Sequence, residues 1–143
     1  MKVTVIGDGA WGTALALVAA GNGHGTTLWG PFPDNIATMR EKRENVQFLP
    51  GPKLPDALDL TADLNTAMTG PDMVILASPC QFMRSILEQI AALGVPGNPL
   101  FVNVAKGIEV STLHRPQQIV SALLGQVRYV VVSGPSHAEE VSQ

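Results

Sequence analysis

Runs dominated by apolar or β-branched residues alternate with amphipathic segments along the whole chain. Such runs predict buried strands, and apolar positions three or four residues apart predict helices packed on a core. The predicted strands are Lys2–Ile6, Thr26–Trp29, Leu58–Leu60, Met73–Ala77, Leu100–Val104 and Tyr129–Val132. The predicted helices are Ala10–Ala20, a segment from the N-cap Asp34 to about Arg43, Ala62–Met68, Gln81–Leu93 and Pro116–Leu124. Apolar strands that alternate with helices are typical of a parallel sheet covered on both faces.

Two segments carry more detailed expectations. Three prolines fall within Phe48–Asp56, which predicts an extended surface connection without a regular element. In the segment Gln81–Leu93, the apolar side chains recur at helical spacing, which predicts a buried stripe from Phe82 to Leu93.

Composition narrows the class of protein. The chain has 143 residues, 45% of them hydrophobic, which suits one domain with a single core. Its net charge of −3 is spread without runs of like sign, so a nucleic-acid or anionic-membrane surface is not expected. One cysteine and three scattered histidines indicate neither a disulfide framework nor a zinc site. Because no apolar stretch approaches the roughly 20 residues of a membrane span, we expect a cytoplasmic protein.

A glycine motif follows the first predicted strand and opens the first predicted helix. Gly7, Gly9 and Gly12 match the pattern G-x-G-x-x-G. In that pattern the first glycine permits the tight turn, the second leaves backbone bare for a pyrophosphate, and the third lets helix and strand pack closely. The motif therefore predicts a Rossmann-type, doubly wound, mostly parallel sheet that binds a dinucleotide.

The residues after the second strand bear on the choice of dinucleotide. An acidic residue there would take the ribose hydroxyls, and a basic residue would take a 2′-phosphate. Trp29 is followed by Gly30, Pro31 and Phe32, with neither acid nor base, and Arg40 is the one cation nearby. We therefore expect NADH and NADPH to bind within about tenfold of each other.

Two further segments follow predicted strands and therefore fall at the edge of the sheet where such folds bind ligands. Asn103–Gly107 contains Lys106, and Ser133–His137 contains Ser136. A lone lysine there could hold an anionic substrate or a developing alkoxide, or it could be a solvated loop residue. Cys80, without an evident base partner, is better read as a small buried residue than as a nucleophile.

The motifs together resemble the N-terminal half of bacterial NAD(P)-dependent glycerol-3-phosphate dehydrogenases. The segments that carry the resemblance are Gly9–Ala16, Leu28–Trp29, Phe48–Pro50, Ala105–Glu109 and Ser133–Val141, in that order along the chain. The family transfers a hydride between NAD(P)(H) and carbon 2 of dihydroxyacetone phosphate or sn-glycerol 3-phosphate, which supplies the backbone of phospholipids. The resemblance implies the same reaction here.

The resemblance also implies roles for individual residues. Ala10, Trp11 and Ala138 would contact the dinucleotide, and Lys106 would meet both cofactor and substrate. Gly134 and Ser136 would contact the substrate, and Pro31 stands where family members often carry a basic residue.

The family's catalytic lysine belongs to a C-terminal helical domain that residues 1–143 do not include. The chain alone is therefore expected to be inactive, and a homodimer is one option for a full-length protein. A dinucleotide sensor without catalysis is the alternative from another class, and ketopantoate reductase-like or 6-phosphogluconate dehydrogenase-like enzymes are alternatives within the same class.

Overall fold

The computed structural model describes residues 1–95 and 97–143, and its centre is a six-stranded parallel sheet. The strands are β1 (Lys2–Ile6), β2 (Gly25–Trp29), β3 (Glu44–Asn45), β4 (Leu49–Lys53), β5 (Leu58–Thr61), β6 (Met73–Leu76), β7 (Leu100–Asn103) and β8 (Arg128–Val131). The helices are α1 (Ala10–Gly21), α2 (Pro33–Lys42), α3 (Leu64–Ala67), α4 (Cys80–Leu93), α5 (Pro116–Leu124) and α6 (Ala138–Val141).

The sheet is doubly wound, as the sequence predicts. Its strand order is β5-β2-β1-β6-β7-β8, so the chain leaves β1 in one direction and returns to β6 on its other side. Every neighbouring pair in this sheet is parallel. The carboxyl ends of β1 and β6 therefore border the crevice at which this topology binds ligands.

Two apolar clusters, one on each face of the sheet, form the core. Val5 and Ile75 point to the face covered by α1 and α2, where Ala16 and Ile36 are buried. The other face is covered by α3, α4 and α5 and contains a separate buried cluster. The expectation of helices on both faces is confirmed.

The expected connection at Phe48–Asp56 is wrong, because part of it forms a strand. β4 pairs antiparallel with β3 in a separate two-stranded sheet. Its register joins Glu44 to Lys53 and Asn45 to Leu49, with an irregularity between the two pairs. Pro50 and Pro52 fall between these paired positions, where a missing backbone N–H breaks no ladder bond.

The start of α2 also differs from the expectation. The N-cap residue is Phe32 and the first helical residue is Pro33, so Asp34 lies inside the first turn and does not cap the helix. Proline suits this position because its ring fixes a helical φ and its missing N–H would have no partner in the helix. The Asp34 carboxylate is still at the positive end of the helix dipole.

Two other expectations need correction, and one short helix was not expected. The stripe on α4 is buried at Ile86 and Ile90, but Phe82 is 62% exposed and Leu93 45% exposed. Strand β8 lies at the edge of the sheet and is shifted by one residue, and its Val131 is 59% exposed because no described helix covers it. The short helix α6 was not predicted, because four residues are too few for a periodic pattern.

Candidate functional site

The glycine turn joins β1 to α1 at the crevice. Gly7 has a φ of 119°, and a Cβ there would lie 2.8 Å from the backbone nitrogen of Ser78. A Cβ on Gly12 would lie 1.9 Å from the carbonyl oxygen of Gly7. Both glycines are thus required by the fold, since the chain approaches itself at backbone atoms that cannot give way.

Gly9 differs from the other two glycines of the motif. It has an ordinary φ of −65°, and a Cβ built on it would meet no atom within 4 Å. Its lack of a side chain therefore serves nothing in the fold and instead leaves bare backbone facing open space. Gly9 is also the N-cap of α1 and offers no side-chain cap, so the first amides of this 12-residue helix are free for an anion.

A large cleft, which we call the first cleft, extends from this turn to the ends of β2 and β5 and along α4. Its volume is about 1080 Å³. Gly7, Gly9, Pro31 and Phe32 line it, and the exposed Phe82 lies on its far wall. The exposure of Phe82 thus reflects its place in the cleft and not a failure of packing.

A second cleft of about 620 Å³ lies on the other side of the turn, between β6, β7 and β8. Lys106, Gly134, Ser136 and Ala138 line it. Both clefts share Ala10, Trp11, Ala77, Ser78 and Pro79, so they meet at the start of α1. Together they form one elongated groove centred on the glycine turn.

A turn built by Asn103 carries Lys106 to the second cleft. The Asn103 side chain donates to the carbonyl oxygen of Ala105 at 3.0 Å and accepts from the backbone N–H of the same residue at 3.2 Å. Gly107 follows with a φ of 115°, which disfavours any other residue. Lys106 itself is exposed and belongs to none of the ion pairs found in residues 1–95 and 97–143.

The segment beyond Lys106 is fastened to α4. Arg84 donates to both carboxylate oxygens of Glu109, with Nε–Oε1 at 2.9 Å and Nη2–Oε2 at 2.8 Å. The Arg84 guanidinium and the Thr112 hydroxyl lower the pKa of this buried carboxyl. Gln81 donates to the carbonyl oxygen of Ile108 at 2.8 Å and accepts from the backbone N–H of Val110 at 3.0 Å. These contacts leave the lysine turn little freedom to shift.

The structure brings the predicted site residues together with one exception. Gly7, Gly9, Ala10, Trp11 and Pro31 line the first cleft, and Lys106, Gly134, Ser136 and Ala138 line the second. Gly12 lines neither cleft, and its lack of a side chain serves the packing of α1. Ser136, His137 and Glu139 are the residue types of a hydrolase triad, but neighbours in one loop rarely bond as a triad must. No hydrogen bond within the described chain joins them, and His137 is the N-cap of α6.

Sequence reasoning missed three polar residues at the site. The Ser78 hydroxyl is buried at the junction of the clefts without a hydrogen-bond partner among the described residues. Asn45 donates to the carbonyl oxygen of Asp8 from the unexpected hairpin. Asp8 occupies a variable position of the motif, so the pattern assigns it no role. A carboxylate between two motif glycines is nevertheless a usable signal.

Cys80 is a buried residue at the start of α4, as expected. Burial raises the pKa of its thiol, and the Glu109 carboxylate adds to the effect. The raised pKa disfavours the thiolate that a nucleophile needs.

These features fit a pyrophosphate dinucleotide. The bare backbone at Gly9 and the free amides of α1 suit the phosphates.

Within the described residues, no group of three or more His, Cys, Asp or Glu side chains could bind a metal ion. The helices of the described chain include none with the length and apolarity needed to cross a membrane. The sheet order and the glycine turn thus define a Rossmann-type domain of the dinucleotide-binding class.

Comparison with known proteins gives the family. A family profile described as NAD-dependent glycerol-3-phosphate dehydrogenase N-terminus matches residues 2–143, and the chain belongs to this family. Glycerol-3-phosphate dehydrogenase [NAD(P)+] of Geobacter metallireducens is 46% identical over 145 residues, covering 99% of this chain and 43% of the relative. The enzyme of the same name from Prosthecochloris aestuarii is 42% identical with the same coverage.

A solved structure agrees with the family assignment. The crystal structure of glycerol-3-phosphate dehydrogenase from Coxiella burnetii superposes with a TM-score of 0.92 at 29% identity, over 99% of this chain and 43% of that one. The chain therefore spans about two fifths of the length of these relatives.

Proposed function

We propose that this chain is the cofactor-binding part of an NAD(P)-dependent glycerol-3-phosphate dehydrogenase. The reaction is hydride transfer between the nicotinamide and carbon 2 of dihydroxyacetone phosphate or sn-glycerol 3-phosphate. The observation that carries the proposal is the meeting of the two clefts at the glycine turn. An elongated ligand with phosphates at its centre fits this arrangement.

The first cleft suits the adenosine half of the dinucleotide. Phe32 and Phe82 offer apolar surfaces for a flat base, and the turn between Gly7 and Ala10 offers amides for the pyrophosphate. The bound cofactor supplies the hydride. The protein's part is to hold the cofactor in one orientation across the start of α1.

The second cleft suits the nicotinamide and the substrate. Lys106 brings a positive charge to this cleft, where it can attract the substrate phosphate or stabilise charge on the carbonyl oxygen. Gly134 and Ser136 line the same cleft from the segment after β8. The Ser136 hydroxyl can donate a hydrogen bond to the phosphorylated substrate.

The second cleft also favours an enzyme over a dinucleotide sensor. A sensor needs the glycine turn but has no use for a substrate cation. The Asn103 turn, the Gln81 contacts and the Arg84–Glu109 pair all hold the lysine segment in place. Three sets of contacts that fix the segment of one exposed lysine are better explained by substrate binding than by a solvated loop.

We further propose that a helical domain beyond residue 143 completes the active site and supplies the catalytic lysine. The family resemblance and the relatives' greater length support this division of the site. Reading the gene beyond the codon for Gln143 and finding a helical domain with a lysine would support it.

Binding measurements on two glycine variants test the cofactor site. In Gly9→Val a branched side chain fills the space left for the pyrophosphate, while nothing in the fold lies within 4 Å. Calorimetric titration with NADH should show affinity lowered by more than about tenfold, with the melting temperature little changed. Gly25→Val is the matched control, because a Cβ built on Gly25 also meets no atom within 4 Å and because Gly25 lies at the end of β2 away from the cleft. Equal NADH binding by the wild type and Gly9→Val would refute the site.

A further inference from the structure

The space beside the end of β2 contains a carboxylate, although the residues that follow β2 include none. Asp8 comes from the glycine turn, and its side chain reaches across to Gly30. A Cβ on Gly30 would lie 2.3 Å from Asp8 Cγ and 2.4 Å from Asp8 Oδ2. Gly30 thus makes room for the Asp8 carboxylate at the end of the strand where an acidic residue would otherwise bind ribose.

The Asp8 side chain is held in this position. Asn35 Nδ2, on α2, donates to Asp8 Oδ2 at 2.7 Å. From the hairpin, Asn45 Nδ2 donates to the Asp8 carbonyl oxygen at 2.7 Å. Asp8 is 4% exposed, so its carboxylate is placed by its neighbours and not by solvent.

One carboxylate oxygen remains available to a ligand. Asp8 Oδ1 receives no hydrogen bond from another described residue, and it is not among the enclosed, unpaired polar atoms of the described chain. Asp8 lines the first cleft, and we infer that Oδ1 faces it. It can accept a hydrogen bond from a hydroxyl.

The charges around the first cleft do not favour an additional phosphate. Among the described residues that line it, the ionisable side chains are Asp8 and Asp63, and both are acidic. Arg40, the cation that the sequence suggested, does not line the cleft and donates from Nε to the carbonyl oxygen of Leu60 at 3.0 Å. A 2′-phosphate beside Asp8 would meet a like charge and would find no partner.

We propose that Asp8 makes this domain select NAD(H) over NADP(H). The carboxylate accepts hydrogen bonds from the adenosine ribose hydroxyls, and its charge repels a 2′-phosphate, which carries roughly −1.5 to −2 at neutral pH. The inference rests on the proposed function, since it concerns the same cofactor site. It differs from the sequence-based expectation that the two cofactors bind within about tenfold of each other, and the experiment below decides between the two.

The test compares the affinities for NADH and NADPH in the wild type, Asp8→Asn and Asp59→Asn. The wild type should bind NADH more than about tenfold more tightly than NADPH. Asp8→Asn keeps the shape and an oxygen for Asn35 but removes the charge, so NADPH affinity should rise and the ratio should fall towards one. Asp59→Asn is the matched control, because Asp59 is an exposed aspartate on β5 that lines neither cleft, and its ratio should stay at the wild-type value.

A measurement on the wild type alone covers the case in which Asp8→Asn does not fold. NAD that lacks the adenosine 2′-hydroxyl should bind several-fold more weakly than NAD, because Asp8 loses a donor. A wild-type ratio within tenfold, or one unchanged in a folded Asp8→Asn variant, overturns the assignment while NADH binding still upholds the proposed function. If the wild type binds neither cofactor, the proposed function fails and the role of Asp8 fails with it.

Discussion

The side-chain amide of Asn45 donates to the carbonyl oxygen of Asp8 at 2.7 Å and to the hydroxyl of Thr13 at 2.8 Å. Asn45 is fully buried, and its side-chain oxygen Oδ1 accepts from the backbone N–H of Phe48. One side chain thus joins the β3–β4 hairpin to both ends of the glycine turn. The hairpin, which has no counterpart in the main sheet, is part of the support of the cofactor site.

Removal of this amide should cost stability. In Asn45→Ala the carbonyl of Asp8 loses a buried donor, and the free energy of unfolding should fall by about 2 kcal/mol, as measured by urea denaturation. NADH affinity should fall with it, because the turn is less well held. Asn22→Ala is the control, since Asn22 also donates from Nδ2 to a carbonyl, that of Val18 at 2.8 Å, but is exposed. Equal losses in the two variants would contradict a special role for Asn45.

Gly12 should be required for folding and not for binding as such. A Cβ there meets the Gly7 carbonyl oxygen at 1.9 Å, so Gly12→Ala should lower the free energy of unfolding by about 3 kcal/mol. Gly21 lies at the end of the same helix, and a Cβ there would meet no atom within 4 Å. Gly21→Ala should therefore leave the free energy of unfolding unchanged or raise it by up to about 1 kcal/mol. Urea denaturation of both variants checks this, and a fully stable Gly12→Ala would show that the close contact is relieved elsewhere.

The Glu109–Arg84 pair should make stability depend on pH in the acid range. The pKa of Glu109 is lowered in the folded chain from an unfolded-state value of 4.5. Its contribution to the free energy of unfolding is therefore fully present above that value and is lost as the pH falls through the folded-state pKa. Glu109→Gln should therefore be less stable than the wild type at neutral pH, and the difference should vanish in acid. Glu41→Gln, an exposed change on α2, should show no such pattern. Thermal melts across this pH range provide the measurement.

Asp8 should affect the pH dependence of stability in the opposite direction. Burial raises its pKa above 3.8, so its ionisation opposes folding at neutral pH. The contribution of Asp8 to the free energy of unfolding therefore becomes more favourable as the pH falls through the raised value. Asp8→Asn should be at least as stable as the wild type at neutral pH and should lose that advantage in acid. Asp59→Asn, at an exposed position on β5, is the comparison. A marked loss of stability in Asp8→Asn at neutral pH would mean that the carboxylate stabilises the turn.

Turnover should require more than this chain. Carbonyl reduction needs a hydride donor, a stabiliser for the alkoxide and a proton source. Among the described residues of the second cleft, Lys106 can stabilise the alkoxide, but the proton source is assigned to the proposed helical domain, which residues 1–143 do not include. We expect no NADH oxidation with dihydroxyacetone phosphate at an enzymatic rate from residues 1–143 alone. Activity equal to that of a longer protein would place the proton donor within these residues.

In a longer protein that includes the proposed helical domain, Lys106→Ala should be severely impaired. Loss of one group that stabilises developing charge costs roughly 100- to 1000-fold in rate. Lys42→Ala, an exposed lysine at the end of α2, should keep wild-type activity. Steady-state kinetics on both variants decides between a substrate contact and a solvated loop lysine for Lys106.

Features that depend on short stretches of chain could be predicted from the amino-acid sequence alone. Strand β1 was predicted with its observed bounds, and the other five strands of the main sheet were placed to within one residue at each end, because continuous apolar runs mark buried strands. The glycine turn was equally clear, since three glycines after a strand have a local steric meaning. The family resemblance then indicated Lys106 and Ser136 as neighbours.

Features that depend on partners distant in the chain became visible in the folded structure. β4 exists because β3 pairs with it, and no periodicity in a proline-rich segment shows that pairing. Asp8 meets Gly30 because β1 and β2 lie parallel and side by side, which brings residues 22 positions apart into contact. The exposed side chains of Phe82 and Val131 obey the same rule: an apolar pattern shows that a residue can be buried, and the packing of the whole chain decides whether another element covers it.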